Sequence, residues 1–196
     1  MRNAEIKRIT KETDISLKLS LDGTGKSEIE TGVGFLDHML TLFASHGRLD
    51  LAVKCNGDTQ VDDHHSAEDI AICLGQAFRE ALGDCKGITR YGSMLLPMDD
   101  ALVRVAIDIS GRPYLAYHME IPTEKVGTFD TELVEEFLLG FVRAAGVTLH
   151  VAQLDGHNSH HIIEALFKAL GRTVRAAVRL DPDAIGEIPS TKGSLL

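Results

Sequence analysis

Two short stretches carry residue types able to do chemistry. "DDHHSAED" sets His64 and His65 side by side, with Glu68 following, and "SHHIIEA" repeats the pattern with His160, His161 and Glu164. On a helix, His64 and Glu68 lie four residues apart and share a face, while His65 is turned about 100° away. One metal ion could take His64 with Glu68, leaving His65 for a second ion or another chain. His160, His161 and Glu164 offer the same choice. Neutral imidazoles with carboxylates and no thiolate suit Mn, Fe, Co, Ni or Zn without selecting sharply among them. One adjacent histidine pair alone reads as a helix cap or a solvated face; two copies at matched positions favour metal.

Each motif supplies at most three ligands, so more are needed. His38 in "FLDHML" is a candidate, the alternative being a partly buried histidine on an amphipathic helix. The corresponding helix of the second half carries Glu135 and Glu136 in "LVEEFLL", and the repeat pairs His38 with one of these acids. His118 and His150 fall in strands, where structural roles are expected, and His157 reads as loop surface. His46 ends a helix, where a histidine favours the negative end of the dipole; a substrate contact is its second reading. Lys168 follows Glu164 by four residues and His160 by eight, on one helix face, and eight residues rise about 12 Å. An ion at one end and the ammonium at the other would span a small phosphorylated metabolite. Arg90 in "GITRYG" and Arg112 in "SGRPYL" lie at turns that could aim a guanidinium at phosphate. Ser190 and Lys192 sit on the Gly-containing tail "IPSTKGSLL". Each cation taken singly reads as a solvated surface charge.

The elements that must hold these groups repeat as well. "TDISLKLSL" alternates Ile15, Leu17, Leu19 and Leu21 with polar residues, the period of a half-buried strand. "DGTG" turns the chain, and residues 26–32 return as a short strand. "GFLDHMLTLFASHG" has helical apolar spacing with Gly47 as its stop. "RLDLAVKC" alternates again, and the first histidine helix runs to about Gly83. In the second half "ALVRVAIDIS" is a strand, Gly111 turns, and "RPYLAYHMEI" is its partner. A helix over 130–145, the strand "VTLHVAQL" and a helix to about Leu180 follow. His64 to His160 is 96 residues and Gly47 to Gly146 is 99. This predicts an α+β fold built from an internally duplicated unit, each half a sheet of about four strands covered on one face by two helices. The expected divisions are 1–88, 89–185 and a substrate-binding tail, 186–196.

The composition sets the class. At 196 residues and 44% hydrophobic, the chain has enough apolar material for a real core. A net charge of -9 argues against nucleic acid or an anionic membrane as partner. No apolar run approaches the roughly 18 residues of a spanning helix, and no signal-peptide pattern opens the chain. Cys55, Cys73 and Cys85 have no CxxC spacing and read as reduced thiols, two of them in core positions. A soluble, cytoplasmic protein is expected.

Taken together, "GFLDHML", "DDHHSAEDIAI", "SGRPYL", "NSHHIIEALFKA" and "IPSTKG" make the chain resemble the imidazoleglycerol-phosphate dehydratase family, over nearly its whole length. The resemblance implies conversion of imidazole glycerol phosphate to imidazole acetol phosphate plus water in L-histidine biosynthesis. It implies two Mn(II) per active site and a 24-subunit shell of trimers, with sites between subunits. One ion would be held by His38, His65, His160 and Glu164, the other by His64, Glu68, His161 and Glu136, the last standing where many members have histidine. Glu12 in "TKET" matches an acid at the substrate site, and Arg90, Arg112, Lys168, Ser190 and Lys192 match residues that hold substrate and phosphate. Glu12 is the first candidate for proton transfer, with the metal-shell carboxylates Glu164 and Glu68 second. A dimetal phosphate-ester hydrolase and a non-catalytic metal store are the alternatives. The cations far along the helix argue against the first, and the phosphate-like cation set against the second.

Overall fold

The structure, a computed structural model, describes residues 1–195; Leu196, last residue of the expected tail, lies outside the described residues. The first half runs β1 (Asn3–Ile9), β2 (Thr13–Ser20), β3 (Ser27–Glu30), α1 (Gly34–Gly47), β4 (Asp50–Gly57), α2 (His64–Leu82). The second runs β5 (Tyr91–Met98), β6 (Ala101–Asp108), β7 (Tyr114–His118), a small hairpin β8 (Lys125–Val126) and β9 (Phe129–Asp130), α3 (Leu133–Ala145), β10 (Thr148–Asp155), α4 (Ser159–Val178). The main sheets have strand orders β1-β2-β4-β3 and β5-β6-β10-β7. These are one topology written twice, so the α+β expectation of two four-stranded sheets with helices holds.

Two details differ from the sequence reading. The strand after Gly111 is not the partner of β6. β7 pairs in parallel with β10, and β10 lies between it and β6; likewise β3 pairs in parallel with β4. A parallel pair needs a crossover, and α1 and α3 are those crossovers. The other difference is β1 and β5, edge strands that apolar periodicity did not locate. In β5, Tyr91 and Leu95 lie on the outer face and Met94 and Leu96 on the inner, so alternation of polarity does not mark it.

The helices pair across the halves: α1 packs on α4 and α2 on α3, while α2 lies on the first sheet and α4 on the second. The helices thus form a layer between two sheets, and the apolar residues of both halves merge into one core. Cys55 and Cys73 are buried in it and Cys85 is partly exposed, all three free. Among the described residues no helix is long and apolar enough to cross a membrane.

The crossings are very close. A Cβ on Gly171 of α4 would stand 2.5 Å from the Phe43 carbonyl oxygen and 2.9 Å from the Gly47 nitrogen of α1. A Cβ on Gly75 of α2 would stand 2.6 Å from the Phe141 carbonyl oxygen and 2.9 Å from the Ala145 nitrogen of α3. Gly75 to Gly171 is 96 residues, and both Phe43 to Phe141 and Gly47 to Ala145 are 98, so the two crossings are equivalent. We expect Gly171→Ala and Gly75→Ala to cost about 1–3 kcal/mol each through backbone overpacking. Gly34→Ala, whose Cβ meets nothing within 4 Å, should be neutral or slightly stabilising. Denaturant unfolding checks this; a Gly171→Ala protein that unfolds like the parent would refute the close-crossing account.

Candidate metal centre

The α1–α4 crossing brings together side chains 126 residues apart in sequence. His38 Nε2 lies 3.4 Å and His160 Nε2 3.0 Å from the same carboxylate oxygen, Glu164 Oε2. One ligand atom from each of the three lies within 4.8 Å of the others, the only such group of three or more His, Cys, Asp or Glu among the described residues. The Phe35 and His160 rings pack in a T-shaped arrangement, their centroids 5.3 Å apart. Glu164 is buried at 8% exposure, and its other oxygen accepts from Lys168 Nζ at 2.5 Å. The ammonium therefore folds back one turn instead of reaching about 12 Å from His160, because i, i+4 side chains of opposite charge meet on a helix face. Burial raises the Glu164 pKa, but hydrogen bonds from Lys168, His160 and His38 outweigh it and hold the carboxyl at about 2. His46, at the end of α1, has its pKa pushed down by burial and then by the charges of Arg172 and Lys168.

The α2–α3 crossing carries the matching set in looser form. His64 Nε2 lies 3.8 Å from Glu68 Oε2. A Cβ on Gly140 would meet the Glu68 carbonyl at 3.3 Å and Ala71 at 3.2 Å, so that face of α3 points at α2. Glu136 is one turn earlier on the same face. The 98-residue shift that equates Phe43 with Phe141 also equates His38 with Glu136. Glu135 points elsewhere; its charge, after burial, helps raise the Tyr117 hydroxyl. Within one chain Glu136 does not converge with His64 and Glu68 as tightly as His38 does with its partners.

The second histidine of each pair is held by a carboxylate that sequence reasoning missed. His65 Nδ1 lies 3.0 Å from Asp58 Oδ2, and His161 Nδ1 lies 2.5 Å from Asp100 Oδ1. An acid accepting from Nδ1–H leaves Nε2 with its lone pair free, the usual second partner of a metal-binding imidazole. Asp58 holds the His65 pKa above its ordinary value. The other oxygen of Asp100 accepts the backbone N–H groups of His157 and Asn158 at the start of α4. These bonds, with His161, hold its carboxyl far below the usual range. Asn158 Oδ1 caps α4 by accepting from the His161 N–H, and Asp62 Oδ1 accepts from the His64 N–H. Asp58 is seven residues from its histidine and Asp100 is 61, so no common spacing could reveal both. Imidazole Nε2 atoms and carboxylates without thiolate, with Nδ1 atoms tethered, fit a divalent first-row ion.

The remaining residues lie elsewhere in the chain. Glu12 Oε1, in the β1–β2 turn, is 3.7 Å from His65 Nε2. Arg90 is held by Asp108 at 2.8 Å and by the Pro189 carbonyl at 2.8 Å, beside Ser190 in the tail. Arg112 donates to the Ser110 carbonyl. These groups lie at the Tyr91 end of the second sheet, whereas Lys168 touches Met98 at the other end of β5. Eight strand residues separate them by on the order of 20 Å. The Lys192 N–H is tied to Ser190 Oγ. His118 and His150 are exposed on their strands and His157 is loop surface.

Fold and site together define a class: a duplicated α+β protein whose facing helices carry paired histidine–carboxylate clusters. The family model described as imidazoleglycerol-phosphate dehydratase matches residues 31–174. The chain is 60% identical over 195 residues to the imidazoleglycerol-phosphate dehydratase of Xanthobacter autotrophicus, covering 100% of this chain and 99% of that protein. The crystal structure of the Staphylococcus aureus imidazoleglycerol-phosphate dehydratase is similar at TM-score 0.84 and 46% identity, covering 91% of this chain and 99% of that one. That of the Pyrococcus furiosus protein, in complex with (S)-C348, is similar at TM-score 0.83 and 41% identity, covering 96% and 99%. The chain belongs to the imidazoleglycerol-phosphate dehydratase family, and is thereby an enzyme of the hydro-lyase class.

A depressed carboxylate pKa contributes stability that is present above the unfolded value and lost as pH falls through the folded one. For Glu164 that window runs from 4.5 down to about 2. Lys168→Met removes the chief opposing cation, so in metal-stripped protein it should destabilise at neutral pH and progressively less between those limits. Denaturant melts across this range check it; a stability difference independent of pH would refute the coupling.

Proposed function

We propose that this chain converts imidazole glycerol phosphate to imidazole acetol phosphate with loss of water, as a metal-dependent step of L-histidine biosynthesis in the cytoplasm. The observation that carries this reading is the convergence of His38, His160 and Glu164 in a member of this dehydratase family. Two Mn(II) ions are proposed per site, one held by His38, His65, His160 and Glu164, the other by His64, Glu68, Glu136 and His161. Within one chain His65 is not part of the first cluster, and Arg90, Arg112, Ser190 and Lys192 lie far from Lys168. Both facts favour sites completed by neighbouring copies, as in the 24-subunit assembly implied by the family resemblance.

When bound, the ions would supply Lewis-acid stabilisation to the substrate's imidazole. The chain's own residues do the rest. Asp58 and Asp100 keep the His65 and His161 rings oriented. A carboxylate, Glu12 first and Glu164 or Glu68 second, moves the protons as the hydroxyl departs and the neighbouring C–H is lost. The resulting enol then ketonises. Lys168 with His46, and Arg90, Arg112, Ser190 and Lys192 from the other group, hold the substrate and its phosphate. Binding remote from the reacting bonds thus orients them.

Purified protein with Mn(II) and imidazole glycerol phosphate should yield the ketone without free phosphate. Release of inorganic phosphate would overturn the reading for a hydrolase, and absence of turnover would leave a metal store. For the ligand set, Glu136→Ala should weaken Mn(II) binding at least about ten-fold, with Glu135→Ala near the parent, as read by titration with the ion. The reverse order would remove Glu136 from the site.

A further inference from the structure

Asp69 follows Glu68 on α2, and its carboxylate is buried at 7% exposure. It pairs with Arg8 of β1, and Thr13 Oγ1, from a residue 2% exposed at the start of β2, donates to it at 2.5 Å. That bond uses the only hydroxyl proton of Thr13, so the donor in the 3.2 Å contact between Thr10 Oγ1 and Thr13 Oγ1 is Thr10, whose single proton is shared with the Thr13 carbonyl at 3.4 Å. Thr10 Oγ1 in turn accepts the Glu12 N–H at 3.1 Å and the Thr13 N–H at 3.0 Å. A continuous chain of hydrogen bonds therefore runs from buried Asp69 to the backbone of Glu12. The other side of the same turn is tied through the Glu12 carbonyl, which accepts the Asp58 N–H at 3.0 Å.

The fold does not need this network. The registers Asn3↔Ser20 and Tyr91↔Asp108 equate the hairpins of the two halves with a constant shift of 88 residues. Under it Arg8 corresponds to Leu96 and Thr13 to Ala101; under the 96-residue helix shift Asp69 corresponds to Ala165. All three counterparts are apolar, and Ala101 and Ala165 are buried at 1% and 0% exposure. The equivalent strand pair packs on the equivalent helix with apolar residues at these three positions. A partly buried ion pair is weak evidence of stabilisation, since desolvation opposes it, so its presence in only the Glu12-bearing half asks for another reason.

We propose that Asp69, with Arg8 and Thr13, is a positioning residue that fixes the Glu12 turn against the first turn of α2, setting the Glu12 carboxylate relative to His65. This rests on the reading that Glu12 works at the substrate site. Misplacement of a reacting group by about 1 Å can cost on the order of a hundred-fold in rate.

The test uses Mn(II)-loaded full-length protein. Thr13→Val, which keeps the shape and removes the hydroxyl, should lower kcat about ten- to a hundred-fold. KM should change by less than about three-fold, with bound metal as in the parent. Thr13→Ser, which restores the hydroxyl, should recover most of the loss. In a Glu12→Ala background the Thr13→Val effect should disappear, since neighbours acting through one group are not additive. Unchanged kcat in Thr13→Val, or a full additional loss in the double variant, overturns the proposal. If Thr13→Val does not fold, Asp69→Asn is read by the same criteria, and failure of both to fold assigns the network to structure and overturns it. Full activity of Glu12→Ala alone overturns the reading beneath it, a result distinct from the others.

Discussion

At Gly171 the missing side chain lets the backbone of α4 lie directly on α1, and the centre depends on that approach. Two turns earlier on α4, Glu164 meets His38 of α1 and His160 of its own helix. A methyl group at Gly171 would stand 2.5 Å from the Phe43 carbonyl and force the helices apart. Longer side chains could not keep those distances, because interior packing leaves no slack to absorb the shift. The same approach at Gly75 brings the Glu136 face of α3 to the Glu68 end of α2. Side chains that meet across paired helices need a fixed interhelical distance, and the glycines set it.

The charges are arranged so that this closeness is tolerable. Glu164 is buried, yet two imidazoles and the Lys168 ammonium keep it ionised. The rings of His65 and His161 are each held from behind by an acid, and Asp100 also binds the amide groups that open α4. Orientation of the donors is thus built into helix starts and turns.

Duplication explains the architecture, and divergence between the halves is informative in its own right. Where both halves keep a feature, as with the glycine crossings and the tethered histidines, a constraint common to both halves accounts for it. Where one half has a polar network about Asp69 and the other has Leu96, Ala101 and Ala165, the shared fold alone does not account for it. Histidine in the first half and glutamate in the second, at His38 and Glu136, is the same kind of contrast within the proposed ligand set.

Much of this was legible in the residue order. Period-two and period-3.6 patterns arise from local geometry, so the helices, the inner strands β2, β4, β6 and β10, the edge strands β3 and β7, the duplicated unit and the HHxxE repeat could all be read from the chain. Apolar periodicity did not locate the edge strands β1 and β5; β5 carries apolar side chains on both faces, so its polarity does not alternate. Nor could the insertion of β10 beside β6 be read, because strand pairing is a long-range choice made by the crossover helices. Sequence determined which side chains share one helix face, such as His160, Glu164 and Lys168. Only the tertiary structure decided that α1 and α4 pair across the halves to join His38 to them, that Asp58 and Asp100 stand behind the second histidines, and that Arg90 and Arg112 lie at the other end of the second sheet from Lys168. The reason is that helix periodicity is fixed by bonds between near neighbours, whereas contacts between distant elements depend on how the whole core packs.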